Sequence, residues 1–202
     1  MTDDVLNERT LRALLQKYDI VPRKHWGQNF LTSRKILDRM LDTSSVQETD
    51  TVLEIGGGVG ALTDALAQQA GQVVVVERDP SLCEVLRDRF RDASNVEIRC
   101  EDARKLDSES LPHDYRIIAN LPYSVGLPIL RTLIEGERPP RDAYVMLQQE
   151  VAERLTAQTP NRTLAGTAMQ ILAEGDYLFA IPTPTPLEED VDMIIRLEWL
   201  SI

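Results

Sequence analysis

Runs of adjacent apolar residues alternate with segments of helical periodicity from about residue 51 to residue 158. The run QVVVVE at residues 72–77 is typical, because its apolar residues are consecutive and do not alternate with polar ones. Such a run is expected in a strand that helices cover on both faces of the sheet. Strands of this kind that alternate with helices predict a mostly parallel, doubly wound α/β sheet. The predicted strands are TVLEIG, QVVVVER, NVEIRC, YRIIAN and AYVMLQ, and the predicted helices are ALTDALAQQA, SLCEVLRDRF, residues 126–135 and QEVAERLTAQ.

The N-terminal part of the chain has a mixed helical and irregular pattern. Residues 5–18 carry leucines at helical spacing, and Pro22 ends the amphipathic helix that this spacing predicts. The segment RKHWGQNFL that follows has no regular periodicity. A second helix is predicted to begin at a cap, either Thr32 or Ser33, and to run to about Leu41.

The C-terminal part carries two strand-like runs, around residues 177–181 and 191–200, which could pair as an antiparallel hairpin at the edge of the sheet. The Pro-rich stretch IPTPTPLEED between them predicts a loop and not a domain boundary, because a strand-like run follows it. No internal repeat, low-complexity tract or linker interrupts the pattern. We therefore expect a single domain over residues 1–202, in which residues 1–45 form a helical and irregular segment.

The composition indicates neither a membrane protein nor a general nucleic-acid binder. The 202 residues, of which 43% are hydrophobic, are enough for one well-formed core. No run approaches the roughly 20 apolar residues of a membrane helix. The acidic N-terminal residues lack the apolar core of a signal peptide, so we expect a cytoplasmic protein. The net charge of -11 disfavours general binding to phosphates.

The charged residues are unevenly distributed along the chain. Of the 22 basic and 33 acidic residues, the first 50 positions hold eight of each, so the remainder of the chain carries the whole excess of negative charge. A surface that faces a polyanion would therefore lie near the N-terminal segment. The basic residues considered for it are Arg23, Lys24, Arg34, Lys35 and Arg39.

The cysteine and histidine residues show no spacing typical of zinc ligands. Cys83 and Cys100 are far apart in the sequence, and His25 and His113 are isolated. Cys83 falls in a predicted helix and Cys100 at the end of a predicted strand. We therefore expect no metal site, and we expect both cysteines to be small buried hydrophobic residues.

A glycine-rich loop follows the first predicted strand, which contains Glu54. Its residues Gly56, Gly58 and Gly60 permit a tight turn and a close approach of the backbone to a ligand, although such a loop is also common as a plain strand-to-helix turn. The next strand ends at Glu77, where a carboxylate can accept hydrogen bonds from the two hydroxyls of a ribose. The spacing G-x-G-x-G differs from the pyrophosphate-binding G-x-G-x-x-G, and the loop has no basic residue. These features favour a nucleoside cofactor without phosphates, S-adenosylmethionine, over NAD.

The third predicted strand ends in an acidic residue, Asp102, followed by Ala103. A carboxylate at this position can accept a hydrogen bond from an adenine amine. Ligands of doubly wound sheets bind at the carboxyl ends of the strands. Because Glu54, Glu77 and Asp102 lie at the ends of three consecutive strands, we expect them to surround one crevice that holds an adenosine.

The fourth predicted strand ends in NLPYS, residues 120–124. Asn and Pro are common in turns and a neighbouring Tyr can simply pack, so the pentapeptide alone fits a plain turn equally well. Beside an adenosine crevice, the Asn120 side-chain oxygen and the Leu121 backbone carbonyl could accept both hydrogens of an exocyclic amine, and Tyr123 could stack on an extruded base. Pro122 would fix the backbone so that these groups converge. We therefore treat the four residues as candidates for catalysis of methyl transfer to an amine.

The motifs together resemble those of the ribosomal small-subunit RNA adenine dimethyltransferases and, more distantly, the erythromycin-resistance RNA methylases. Their order and spacing are similar over about residues 20 to 200, and the presence of GQNFL and NLPY in one chain is the most specific match. We expect this chain to lack the small helical C-terminal domain of that family. The matching segments are KHWGQNFL (24–31), VLEIGGGVGALT (52–63), VVERD (75–79), EDA (101–103), IIANLPYSVGLPIL (117–130) and MLQQEVAERL (146–155).

The resemblance implies a Rossmann-like methyltransferase fold with S-adenosylmethionine as the cofactor. It implies that Gln28, Asn29 and Leu31 of the N-terminal segment line the methionine end of this cofactor. The glycine loop would form the floor of the site, Glu77 would bind the ribose, and Asp102 would contact the adenine. The implied reaction is the double methylation of the exocyclic amine of an adenine, with ribosomal RNA or the small ribosomal subunit as the partner of a monomeric enzyme.

The chain departs from the family pattern at two places near the expected substrate. Ser124 follows NLPY where the family has Asn or His, and the loop IPTPTPLEEDVD has Thr or Pro where the family has an aromatic residue that helps to hold the base. The same loop carries Glu188, Glu189 and Asp190 where the family is usually basic. Two alternatives therefore stay open: a methyltransferase that acts on a protein amide, a small molecule or DNA, and a non-catalytic cofactor-binding assembly or regulatory factor.

Overall fold

The computed structural model describes residues 4–22, 30–121, 126–148, 173–182 and 191–199, the last two ranges by their backbone alone. The helices are α1 (Glu8–Lys17), α2 (Arg34–Ser44), α3 (Ala61–Ala67), α4 (Pro80–Phe90) and α5 (Gly126–Ile134). The strands are β1 (Thr51–Ile55), β2 (Gln72–Glu77), β3 (Val96–Cys100), β4 (Tyr115–Asn120), β5 (Asp142–Gln148), β6 (Ala173–Pro182) and β7 (Val191–Trp199). Two short 3-10 turns, Ala103–Lys105 and Ser108–Ser110, lie between β3 and β4. The predicted helix QEVAERLTAQ lies outside the described residues.

The strands form one seven-stranded sheet in the order β3-β2-β1-β4-β5-β7-β6. The first five strands in this order are parallel, whereas β7 runs antiparallel to both β5 and β6. The order reverses between β1 and β4, because the chain first builds outward through β2 and β3 and then returns to the other side of β1. In a doubly wound sheet this reversal opens a crevice at the carboxyl ends of the two strands.

Helices cover both faces of the parallel strands, which confirms the predicted fold class. Val73 and Val75 of β2 belong to a core cluster shared with α1, α2, α3 and α4, whereas Val74 and Val76 belong to a second cluster shared with α5. All four valines are at most 1% exposed. Alternate side chains of the strand therefore enter two different cores, which explains why its apolar residues are consecutive.

The helix boundaries follow local capping chemistry. α1 begins after Asn7, whose side chain accepts hydrogen bonds from backbone N–H groups in the first turn of the helix. α4 begins at Pro80, after Asp79, whose side chain also accepts a backbone N–H of the first turn. Ser33 precedes α2, as one of the two predicted caps, but its side chain makes no capping hydrogen bond. Because helices this short are only marginally stable on their own, the apolar faces that they bury provide most of their stability.

A buried ionic cluster joins the amino ends of three parallel strands, at the edge of the sheet opposite the crevice. The guanidinium of Arg116 donates to both oxygens of Asp142, at 2.8 and 3.0 Å, and to Asp50 at 3.0 Å. Arg141 donates to the other oxygen of Asp50 at 2.7 Å. Although burial opposes ionisation, the hydrogen bonds from Arg141, the Gln47 backbone and Arg116 hold the pKa of Asp50 below its usual value.

The two cysteines contradict the sequence-based expectation. Cys83 and Cys100 form a disulfide, with their Cα atoms 5.8 Å apart, and Cys100 is exposed. The expectation of two separate buried hydrophobic residues was wrong because it considered only sequence distance. Cys83 lies in the first turns of α4 and Cys100 ends β3, and the helix-to-strand connection between them brings both to the same edge of the sheet. The fold therefore has a covalent link near the carboxyl ends of its strands.

Candidate functional site

A cavity lies at the carboxyl ends of β1 and β4, where the strand order reverses. Its walls come from three separate parts of the chain: the glycine loop with the first turn of α3, the end of β4, and the residues that precede α2. The described lining residues include Glu54, Asn120, Phe30 and Leu31, in addition to the glycine loop. The structure thus brings together the loop, Asn120 of the NLPYS segment and two residues of the GQNFL segment, Phe30 and Leu31, of which Leu31 is a predicted site residue.

The glycine loop has a backbone that few other residues could adopt. Gly58 and Gly60 have φ angles of 56° and 85°, in the left-handed region that L-residues rarely occupy. A Cβ atom on Gly60 would also lie 2.6 Å from a ring carbon of Phe90. The loop therefore approaches α4 closely, and it presents backbone instead of side chains to the cavity.

Glu77 connects the glycine loop to the end of β2. One carboxylate oxygen accepts the N–H of Gly58 at 3.0 Å and the other accepts the N–H of Asp79 at 2.9 Å. Burial raises the pKa of the Glu77 carboxyl even though these N–H groups favour its charged form. Each oxygen of a carboxylate has a second lone pair, so the same group can still accept hydrogen bonds from ligand hydroxyls.

Glu54 faces the cavity from β1 and is 1% exposed. The hydroxyl of Thr63, in α3, donates to one of its oxygens at 2.6 Å. Burial raises the pKa of Glu54 from the ordinary 4.5 to about 8, with a smaller contribution from the nearby charge of Glu77. Sequence reasoning selected Glu54 but missed Thr63, which lies in the first turn of α3. A buried carboxyl group needs a hydrogen-bond partner. A hydroxyl residue in the first turn of the helix that follows the loop was the feature of the sequence that could have identified this partner.

The protonation of Glu54 predicts a specific dependence of stability on pH. Below about pH 4.5 the folded and unfolded states both hold the proton, whereas between about 4.5 and 8 only the folded state does. The free energy of unfolding should therefore decrease as the pH rises through this window, by about 2 kcal/mol between pH 5 and pH 7. Urea unfolding of the protein without added ligand measures it.

The variant Glu54→Gln should remove this contribution, because Gln keeps an oxygen that can accept from Thr63 and does not ionise. Its unfolding free energy should change less between pH 5 and pH 7 than that of the wild type. Glu84→Gln, at an exposed position of α4, is the matched control and should leave the wild-type dependence unchanged. Parallel curves for wild type and Glu54→Gln would contradict the assignment.

Asp102 and Ala103 lie beyond the end of β3, which is separated from β1 by β2. The Asp102 carboxylate accepts the backbone N–H of Arg104 at 3.1 Å and also its guanidinium, and this pair lowers the pKa of Asp102 to about 2. β3 is tied to the site through β2, since the N–H of Glu101 donates to the carbonyl of Glu77 at 3.0 Å. A contact between Asp102 and an adenine amine would therefore share the carboxylate with Arg104, and it stays a prediction.

The remaining predicted site residues fall into two groups. Asn120 ends β4 and lines the cavity, and the neighbouring Leu121 is buried, with its N–H donating to the carbonyl of Met146 at 3.2 Å. Four of the predicted residues lie outside the described residues; they are Gln28, Asn29, Pro122 and Tyr123. Phe30, beside Leu31, lines the cavity although sequence reasoning gave it no role there. Among the described residues, no group of three or more His, Cys, Asp or Glu side chains is placed to hold a metal ion.

Comparison with protein families and curated sequences gives a consistent result. The model of the ribosomal RNA adenine dimethylase family matches residues 21–197. The ribosomal RNA small subunit methyltransferase A of Streptococcus thermophilus (strain CNRZ 1066) is 37% identical over 181 residues, which cover 85% of this chain and 62% of the relative. The chain thus spans about three fifths of the length of this curated relative.

Solved structures resemble the same region. The 23S rRNA methyltransferase ErmE superposes with a TM-score of 0.75 and 26% identity, covering 86% of this chain and 70% of that protein. A dimethyladenosine transferase from Plasmodium falciparum superposes with a TM-score of 0.72 and 25% identity, covering 83% of this chain and 62% of that protein.

Proposed function

Since the chain belongs to the ribosomal RNA adenine dimethylase family, we propose that it transfers methyl groups from S-adenosylmethionine to the exocyclic amine of an adenine in ribosomal RNA. The observation that carries this proposal is the cavity shared by Asn120 and the glycine loop. An amide that can hold an amine therefore faces the backbone that would hold the methyl donor. Positioning of this kind accounts for most of the catalysis when the leaving group is already a good one.

The residues around the crevice fit the cofactor. The glycine loop presents its backbone to the cavity, and the buried Glu77 carboxylate retains lone pairs for ribose hydroxyls. Leu31 and Phe30 would cover the methionine end, and Asp102 would receive the adenine. When bound, S-adenosylmethionine supplies an electrophilic methyl group on a positively charged sulfur.

Asn120 would act on the substrate amine. Its side-chain oxygen would accept one amine hydrogen, and the backbone carbonyl of Leu121 would accept the other, so that the nitrogen lone pair points into the cavity. Leu121 is well placed for a rigid role, because its N–H is bound to the neighbouring strand and its side chain is buried. Tyr123, with its backbone fixed by Pro122, would stack on the extruded base.

The proposed function also indicates where the RNA would bind. Ribosomal RNA, or the small ribosomal subunit, would approach across the N-terminal segment, where Arg34, Lys35 and Arg39 are exposed on α2. The net charge of -11 makes binding at other surfaces unfavourable. Association should weaken as the salt concentration rises, because it would depend on contacts between these cations and phosphates. We further propose a cytoplasmic monomer, and light scattering on the purified protein tests the oligomeric state. Within the described part of the chain, no helix combines the length and the apolar character that crossing a membrane requires.

Incubation with methyl-labelled S-adenosylmethionine tests the function directly. The substrates are small-subunit ribosomal RNA, pre-assembled small subunits, DNA and a set of proteins, with nuclease digestion and nucleoside chromatography to locate the label. We expect label on the exocyclic amine of adenine in the RNA or the subunit. Label only on DNA or protein would favour the alternative substrates, and tight cofactor binding without any transfer would favour a non-catalytic assembly factor.

Glu77→Gln should weaken binding of S-adenosylmethionine by about 10- to 100-fold, because hydrogen bonds to a charged acceptor are lost. The amide has one acceptor oxygen where the carboxylate has two, so it cannot accept the Gly58 and Asp79 N–H groups on separate oxygens as Glu77 does. Isothermal titration calorimetry gives the Kd. Glu84→Gln makes the same chemical change at an exposed site and should bind like the wild type, and equal Kd values for all three proteins would count against the ribose role.

A further inference from the structure

The disulfide lies directly beside the residues proposed to hold the ribose and the adenine. Cys100 is the residue of β3 that pairs with Glu77 of β2, and the next N–H, of Glu101, donates to the Glu77 carbonyl at 3.0 Å. The Glu77 carboxylate in turn accepts the N–H of Gly58. A continuous series of backbone and carboxylate contacts therefore joins Cys100 to the glycine loop.

The other half of the disulfide reaches the same carboxylate. Cys83 is fully buried in α4, which starts at Pro80 immediately after its Asp79 cap. The N–H of Asp79 donates to the second oxygen of Glu77 at 2.9 Å. The bridge therefore fixes the start of α4 against the end of β3, and the segments on both sides of it contact Glu77.

We propose that Cys83 and Cys100 form a reversible thiol–disulfide modification site that controls the affinity of the chain for its adenosine cofactor. This inference rests on the proposed function, because it concerns the nucleoside half of that same site. In the oxidised state the bridge holds residues 100–102 against α4 and pre-organises the surroundings of Glu77. A pre-organised site binds more tightly because less ordering is required on binding.

The two cysteine residues differ in exposure, and this difference determines which of them a reductant attacks first. Cys100 is exposed and Cys83 is buried. A thiolate of a dithiol reductant therefore attacks the sulfur of Cys100. The attack breaks the bond between the cysteines, forms a mixed disulfide with Cys100 and leaves Cys83 to take up a proton. The second thiol of the reductant then displaces Cys100. The reductant becomes a cyclic disulfide, and two electrons and two protons have passed to the protein.

The reverse reaction uses a small-molecule disulfide as the oxidant, which is reduced to two thiols. In the thiol-rich compartment proposed above for this protein, most disulfides that do form are redox-sensing or catalytic. Cys100 is the exposed residue of the bridge and pairs in register with Glu77, the residue proposed to bind the ribose. The bridge is therefore suited to a sensing role, because a movement of Cys100 would be transmitted to Glu77 through the strand pairing.

Equilibrium dialysis with radiolabelled S-adenosylhomocysteine tests the proposal without turnover. One sample is treated with oxidised glutathione and the other with excess dithiothreitol, and differential alkylation with mass spectrometry reports the state of both cysteines. We expect a bridge in the first sample, two thiols in the second, and a Kd about fivefold higher for the reduced protein. The variant Cys83→Ser/Cys100→Ser should bind like the reduced wild type and should not respond to the dithiol. Cys100→Ser, which changes the exposed position alone, serves as a second variant, and circular dichroism checks that both are folded.

The outcomes separate this inference from the proposed function. Equal, measurable Kd values for oxidised and reduced wild type would overturn the inference and leave the function intact. Two free thiols after treatment with oxidised glutathione would overturn it in the same way. Absence of binding in both states, together with absence of methyl transfer to RNA, would overturn the proposed function and the inference with it. Because the wild-type comparison needs no substitution, the test stands even where a serine variant fails to fold.

Discussion

Asn120→Ala is expected to lower kcat for methyl transfer by about 10²- to 10³-fold, the usual loss when one pre-organised polar group at a reacting centre is removed. The residue ends β4 and lines the same cavity as the glycine loop, so its amide is placed at the proposed point of reaction. The Kd for S-adenosylmethionine should change by less than about threefold, since the alanine removes a contact to the substrate amine and leaves the loop in place. Label incorporated into small-subunit RNA gives kcat, and calorimetry gives the Kd.

Gln68→Ala is the matched control, because it removes an exposed amide just after α3 that donates to the carbonyl of Asp64. Its kcat and Kd should both equal those of the wild type within error. A kcat above one tenth of the wild-type value in Asn120→Ala would contradict the proposed role. A parallel loss of cofactor affinity and of kcat would instead place the amide in contact with the cofactor.

The general architecture and the centre of the site could be predicted because they depend on local sequence. Consecutive apolar residues such as Val73 to Val76 indicate a strand buried on both faces, and alternation with helices then determines a parallel sheet. In such a sheet the carboxyl ends of the strands meet at one edge. The glycine loop follows β1 and Asn120 ends the neighbouring strand β4, so both were expected in one crevice, and both line the observed cavity.

Other features depend on distances that the sequence does not encode. The link between Cys83 and Cys100 spans 17 positions, and it forms because α4 and β3 pack side by side. The hydrogen bond from Thr63 to Glu54 depends on how α3 leaves the glycine loop. The ion pair between Arg104 and Asp102 joins residues that are close in the sequence. The sequence still did not predict it, because either side chain could equally have faced solvent. Spacing alone gives no means to choose between such arrangements.

Arg116→Met is expected to decrease the free energy of unfolding by about 3–5 kcal/mol, the usual cost of removing one partner of a buried ion pair. The side chain is 7% exposed and pairs with both Asp50 and Asp142, which are 5% and 13% exposed. Methionine fills a similar volume without donating hydrogen bonds, so Asp142 would keep a buried charge that has lost its guanidinium partner. Asp50 would retain the hydrogen bonds from Arg141 and from the Gln47 backbone. Urea unfolding followed by circular dichroism, with the slope m held common, measures the change.

Arg131→Met provides the comparison, because this arginine pairs with Glu135 one helical turn away on the surface, with exposures of 62% and 43%. Such exposed pairs contribute little, so the variant should lose less than about 0.5 kcal/mol. Adding Asp142→Asn to Arg116→Met should restore part of the lost stability, since the remaining group no longer carries a charge that must be buried. Equal small losses in Arg116→Met and Arg131→Met would contradict the argument. In that case water would have to reach the cluster and solvate its carboxylates, and the amino ends of β1, β4 and β5 would owe their stability to the apolar layers alone.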